Sequence, residues 1–209
     1  MKTALRKAVS LCTFGRIALT PGRATGACFL TFDDGPHPVH TRQLLDLLER
    51  HRAQATFFLV GKQVEQAPDV ASEIVHRGHC LGNHSYHHMS FWGLPLRRQL
   101  AEIEATDRLL QRFDGRSSHL FRPPQGRLTV PLALALVLRG TRTVLWTRDS
   151  KDYMLEAPAV VERLSECTPS PGDVLLFHDD GPRAFHVLEV MLPQWCSAGL
   201  RFEVIPSAA

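Results

Sequence analysis

No apolar run in this chain of 209 residues approaches the roughly 20 residues needed to cross a bilayer, because each Leu/Val/Ala-rich stretch is soon broken by a charge or a Gly/Pro pair. An integral membrane protein is therefore not expected. Cysteine is scarce and poorly spaced for structural work: Cys12, Cys28, Cys80, Cys167 and Cys196 are odd in number, scattered, and form no CxxC pair. That pattern argues against a disulfide framework and against a cysteine-based metal site. Acid is missing from residues 1–26, which hold Lys2, Arg6, Lys7, Arg16 and Arg23, so the net charge of +3 belongs to this stretch and the remainder is mildly acidic. Without a broad basic face to displace counterions, no nucleic-acid partner is expected. What remains is a composition of 44% hydrophobic and 22% charged residues, that of a single domain with a substantial core.

The basic stretch resembles a secretory signal only in outline, since Arg16 cuts its apolar centre short. It reads as a basic amphipathic lead-in, either touching an anionic membrane surface or lying solvated. The expected division is a lead-in over 1–26 and one domain over 27–209.

From residue 27 onward, apolar runs at 28–32, 56–60, 80–82, 120–122, 143–146, 174–178 and 202–205 read as strands. The runs at 56–60 and 174–178 are apolar on both faces, as in a covered parallel sheet. Between the runs lie helical patterns marked by Leu44, Leu45 and Leu48, by Val70, Ile74 and Val75, and by Leu96, Leu100, Ile103 and Leu110. A fourth has Thr129 as N-cap, Pro131 in the first turn and Gly140 just past its end, and two more centre on 160–164 and 187–191. This alternation predicts a parallel α/β fold, with about seven strands fitting a closed or nearly closed barrel. Reactive residues are then expected just after the strands, where such folds build their sites.

The strand ends carry the residues for it. The first is followed by Asp33-Asp34-Gly35-Pro36, two adjacent carboxylates that require a metal ion or an arginine beside them, unless the segment is simply a turn. Later come His84 and His88, four apart, which in a helical or tightly turned segment project to one side. One carboxylate and two histidines make a facial donor set that leaves positions open for water and substrate. Zinc is the default ion, though other divalent ions suit the same donors. Arg122, before Pro123 and Pro124, is suited to grip whichever aspartate is not on the metal. Gly126 lets the backbone approach closely, offering an oxyanion donor nearby. His178 ends an apolar strand and needs a carboxylate, Asp149 or Asp152, to hold a proton.

The ordered series Thr31-Phe32-Asp33-Asp34-Gly35-Pro36, His84-Ser85-x-x-His88, Arg122-Pro123-Pro124-x-Gly126, Trp146 with Asp149-x-x-Asp152, and Leu176-x-His178 resembles the polysaccharide deacetylase family, the NodB homology domain of carbohydrate esterase family 4. The resemblance covers about 27–205 and implies a distorted (β/α) barrel. It implies Asp33 as general base, Asp34, His84 and His88 as metal ligands, and Arg122 as the residue holding Asp33. Asp152 would tune the general acid His178, the Gln125 backbone N–H would serve the oxyanion, and Trp146 and Leu176 would wall the acetyl pocket. The implied reaction is metal-dependent removal of N-acetyl groups from an amino sugar in an oligosaccharide, polysaccharide or lipid-linked glycan. Alternatives are a deformylase, another amidase, or an inactive glycan-binding protein. Gln125 stands where the family usually has an aromatic and Tyr153 where it often has tryptophan, so the sugar-facing surface is expected to differ. His87 is expected beside the ligands or on the surface. The exposed-looking loop Phe91-Trp92-Gly93-Leu94, with the basic lead-in, keeps a glycolipid substrate in view. The expected partners are thus a carbohydrate or glycolipid and, peripherally, a membrane, with no obligate protein partner and a cytoplasmic location.

Overall fold

The structure, a computed structural model, describes residues 17–18 and 26–206; most of the expected lead-in over 1–26 lies outside the described residues. The chain runs β1 (Ile17–Ala18), β2 (Phe29–Asp33), α1 (His40–Arg50), β3 (Ala55–Leu59), α2 (Gly61–Gln66), α3 (Pro68–His76), β4 (Cys80–Asn83), α4 (Leu96–Asp114), β5 (Leu120–Phe121), α5 (Val130–Leu138), β6 (Thr143–Val144), β7 (Arg148–Asp149), α6 (Ala157–Ser165), β8 (Val174–His178) and α7 (Arg183–Ser197). A 3₁₀ turn, Pro124–Gly126, leads from β5 towards α5.

Among the described residues eight strands pair in parallel in the order β1-β6-β5-β4-β3-β2-β8-β7, and the sheet curls into a distorted (β/α) barrel. Among the described residues β1 and β7 are its unpaired edges. The run at 202–205 is not a strand of this sheet: it contributes only the bridge Cys28↔Phe202 before the chain turns away. The edge strands β1 and β7, two residues each, were not expected. No helix among the described residues is long and apolar enough to cross a membrane.

Side-chain alternation decides which strand residues meet at the centre. In β2, Leu30 and Phe32 point outward into the main core, while Phe29 joins an inner cluster with Phe58, Leu120, Val144 and Val174. In β8, Leu175 and Phe177 face outward and Val174 inward. Outside, Phe32 stacks on Phe57 at 4.9 Å, beneath the apolar faces of α1, α3 and α7. Each such ring contributes about 2–3 kcal/mol by burial. The same alternation turns Thr31 and Asp33 inward with Phe29, and Leu176 and His178 inward with Val174. Register then sets Asp33 directly opposite His178. The outer core thus aims the ends of two apolar strands at one spot.

The capping signals read from the sequence hold at α5, where Thr129 Oγ1 accepts from the Leu132 N–H at 3.4 Å and proline occupies the first turn. The loop before α4 divides: Phe91 is buried and stacks on Phe121, whereas Trp92 is 74% exposed.

Candidate active site

Asp34, His84 and His88 converge so that one donor atom from each lies within 4.8 Å of the others. His84 follows β4 directly, and no helix carries the pair: the chain folds back in a tight turn with Ser85 and His88 at φ of 67° and 55°. Asp34 lies at φ 77° just after β2. Left-handed backbone costs a non-glycine residue about 1–2 kcal/mol, so the surrounding structure enforces these positions.

The ring of His84 is oriented by its far side. Its Nδ1 meets the Arg122 carbonyl at 2.7 Å, and a carbonyl only accepts, so Nδ1 carries the proton and Nε2 faces the carboxylates as a lone pair. Burial lowers the pKa of His84 and favours this neutral form, although Asp33 and Asp34 pull the other way. The Asp34 Oδ1 atom lies 3.5 Å from His84 Nε2 and 3.1 Å from His88 Nε2. It is buried with no hydrogen-bond donor among the described residues. A buried carboxylate oxygen without a donor, facing two imidazole nitrogens, is satisfied by a cation. The donors fit a divalent ion. His87, by contrast, turns to Glu102 at 2.8 Å and leaves the cluster.

Asp33 is held separately. Arg122, fully buried, donates from Nη1 to Asp33 Oδ1 at 2.6 Å and to Thr31 Oγ1 at 2.8 Å, and from Nε to the Val144 carbonyl at 3.2 Å. Its guanidinium stacks over Phe58 at 4.1 Å. A planar, permanently charged fork is suited to linking β2, β5 and β6 in this way.

On the opposite flank, His178 Nδ1 lies 2.9 Å from Asp152 Oδ1, and the His178 N–H donates to Asp152 Oδ2 at 2.8 Å. Ser150 Oγ donates to the same carboxylate at 2.8 Å. Burial opposes the charged imidazole, but the bond to Asp152 and the carboxylates Asp152, Asp33 and Asp34 outweigh it and raise its pKa to about 9. Of the two aspartates considered, Asp152 is the partner; Asp149 instead pairs with Lys151 at 2.7 Å.

These groups line one cavity of about 290 Å³ together with Gln125, Gly126, Trp146, Tyr153 and Leu176. Each residue to which the resemblance gave a role reaches it or, for Arg122 and Asp152, directly holds a residue that does, whereas His87 and Asp149 do not.

Sequence reasoning missed Asp179. Its buried carboxylate accepts from Thr41 Oγ1 at 2.5 Å, and its N–H donates to the Asp33 carbonyl at 3.2 Å. It lies so close under Gly35 that a Cβ there would stand 2.2 Å from Asp179 Oδ2, so only glycine fits. Burial and the neighbouring Asp34 and Asp180, against the Thr41 bond, raise the Asp179 pKa to about 7. Asp179 thus braces the turn that presents Asp33 and Asp34. Its only sequence signal was a carboxylate beside a strand-end histidine, which turn chemistry equally explains.

The family model for polysaccharide deacetylase matches residues 22–144, more than half of the chain. The chain is 30% identical over 182 residues to a peptidoglycan-N-acetylglucosamine deacetylase of Bacillus cereus, covering 85% of this chain and 66% of that relative. It is 31% identical over 157 residues to a chitooligosaccharide deacetylase of Azorhizobium caulinodans, covering 74% of each. A crystal structure of a peptidoglycan N-acetylglucosamine deacetylase superimposes with a TM-score of 0.87 at 27% identity, covering 94% of both chains. The chain belongs to the polysaccharide deacetylase family.

Proposed function

We propose that this protein is a metal-dependent hydrolase that removes N-acetyl groups from N-acetylated amino sugars in a glycan. The carrying observation is the donor-less buried Asp34 Oδ1 between two imidazole nitrogens, flanked by the Asp33–Arg122 pair and the His178–Asp152 pair. The names of the relatives, which act on peptidoglycan and chitooligosaccharides, support the acetylated amino sugar.

Asp34, His84 and His88 would hold the ion, with zinc the choice for two nitrogens and one oxygen. Bound there, it supplies Lewis acidity, which makes water nucleophilic near neutral pH and draws charge from the amide carbonyl. Asp33, fixed by Arg122, accepts the proton as water adds to the acetyl carbon. The Gln125 backbone N–H donates to the oxygen that gains charge. Trp146 and Leu176 enclose the methyl group. His178, held charged by Asp152, gives its proton to the amide nitrogen, the C–N bond breaks, and acetate and a free amine leave. The complete set of base, ligands and acid favours turnover over an inactive glycan-binding role.

The test is acetate release from chitooligosaccharides with and without chelator, alongside metal analysis of two variants. Asp33→Asn should keep its metal and lose roughly a hundredfold or more of turnover, the scale of general base catalysis. His84→Ala should lose both. Chelator-insensitive acetate release, or an Asp33→Asn protein emptied of metal, would overturn this division of labour.

A further inference from the structure

The catalytic cavity does not end at Gly126. This residue also lines a neighbouring cavity of about 600 Å³, whose other walls are Trp92, Arg127, Leu128 and Thr129. The shared wall bears no side chain. A Cβ at Gly126 would come within 2.6 Å of Trp146, and its φ of +66° independently demands glycine. Such a volume is ample for a sugar unit.

Trp92 is 74% exposed, yet its loop is not loose. Buried Gln99 donates to the carbonyls of Phe91 at 3.1 Å and Leu94 at 2.7 Å, clamping both ends of the segment. Phe91 is anchored against Phe121, and Thr129, which lines the same cavity, donates to Gln99 Oε1 at 3.4 Å. A rigid backbone therefore presents the largest side chain to solvent inside a cavity wall. That arrangement suits a flat apolar platform for a pyranose face, with its ordering cost met before binding.

Arg127 is exposed and has no ion-pair partner among the described residues. It stands in a long stretch without acid: residues 115–148 contain Arg116, Arg122, Arg127, Arg139, Arg142 and Arg148 but no Asp or Glu, and 88–101 contain Arg97 and Arg98 but no acid. An unneutralised guanidinium beside an aromatic platform selects an oxyanion, with bidentate geometry for carboxylate or phosphate.

We propose that Trp92 and Arg127 form a second sugar subsite for a unit bearing a carboxylate or phosphate. The substrate is then an acidic glycan gripped through at least two sugar units, one over the metal ligands and one over Trp92. This rests on the deacetylase reading above.

The experiment compares acetate release from three tetrasaccharides: neutral N-acetylchitotetraose, the same sugar carrying a 6-phosphate, and an alternating N-acetylglucosamine–N-acetylmuramic acid chain with free lactyl carboxylates. At low salt, kcat/KM should favour an acidic chain over the neutral one by about tenfold, the scale of one charge-assisted contact. Which acidic chain leads identifies the anion. R127Q should bring this ratio close to one, and R127K should restore part of it. W92A should compress the KM ratio between disaccharide and tetrasaccharide, and W92F should recover it in part. Equal kcat/KM for neutral and acidic chains in the wild type, or a preference that survives R127Q, overturns the subsite while leaving deacetylation intact. Titration of tryptophan fluorescence separates the other failure. Saturable binding of an acidic tetrasaccharide, lost in R127Q, with no acetate released, upholds the subsite and sinks the deacetylase reading.

Discussion

Two histidines among the described residues set Nδ1 against an aspartate, His119 and His178, and only one of them borders a cavity. His119 has Nδ1 at 2.9 Å from Asp107 and Nε2 at 3.1 Å from Asp114, and its side chain is wholly buried. His178 has Nδ1 on Asp152, while its ring borders the catalytic cavity and Nε2 has no hydrogen-bond partner among the described residues. Both pKa values are raised, each by carboxylates that overcome burial. A shifted pKa alone therefore does not mark a catalytic group. What separates the two is an uncommitted nitrogen facing an open volume: His119 ties α4 to the residue before β5, whereas His178 keeps Nε2 at the cavity.

The largest expected effect comes from His178→Ala. Turnover should fall by about 10²–10⁴-fold, and stability should fall as well, because the buried Asp152 loses its charged partner. A loss of less than tenfold in kcat would remove His178 from the acid role. His119→Ala should separate the two effects, costing about 1–3 kcal/mol of stability as the half-buried Asp107 and Asp114 lose their shared partner, with kcat within a fewfold of wild type. Urea unfolding with parallel activity assays checks both, and a His119 variant that lost turnover at unchanged stability would abolish the contrast.

A finer probe is Asp152→Asn. In the metal-free protein the His178 imidazole should titrate near 9 by NMR, and this substitution should bring it back towards the ordinary histidine range. Should the titration stay near 9, Asp33 and Asp34 rather than Asp152 would be the dominant partners.

The smallest effect concerns pH and stability. Both histidines are raised above the ordinary value of 6.5, so each contributes stability that is complete below that value and is lost as pH rises through the folded one, about 9 for His178. The stability gap between wild type and His119→Ala should accordingly narrow as pH rises above 6.5. A gap that widened with pH would reverse the assignment of His119 as a charged partner.

The cavity-lining half of this comparison was legible in the chain and the structural half was not. Asp33 and His178 end apolar strands, and Asp34, His84, His88 and Arg122 lie in the segments that follow strands, whose ends a parallel fold brings together. The helix expected from Val70 and Ile74 is α3, and the Thr129 cap begins α5 as read. His119 escaped notice because Asp107 lies 12 residues away across a helix end, and no periodicity reports such a pairing. The strand β1 was missed because Ile17–Ala18 lies in the stretch read as a basic lead-in and β7 because Arg148–Asp149 is charged, and 202–205 was over-read because an apolar run looks the same whether or not it pairs along its length. The clamp of Gln99 on the Trp92 loop was equally invisible, since it depends on where a polar residue of an amphipathic helix happens to be buried.

Arg122 leaves little room for gradual evolutionary drift. The same guanidinium that restrains Asp33 also reaches Thr31 and the Val144 carbonyl, so a lineage abandoning turnover could not discard this side chain without unpicking neighbouring strands. Descendants that went silent would be expected to retain the arginine and shed instead a group with fewer duties, such as His88.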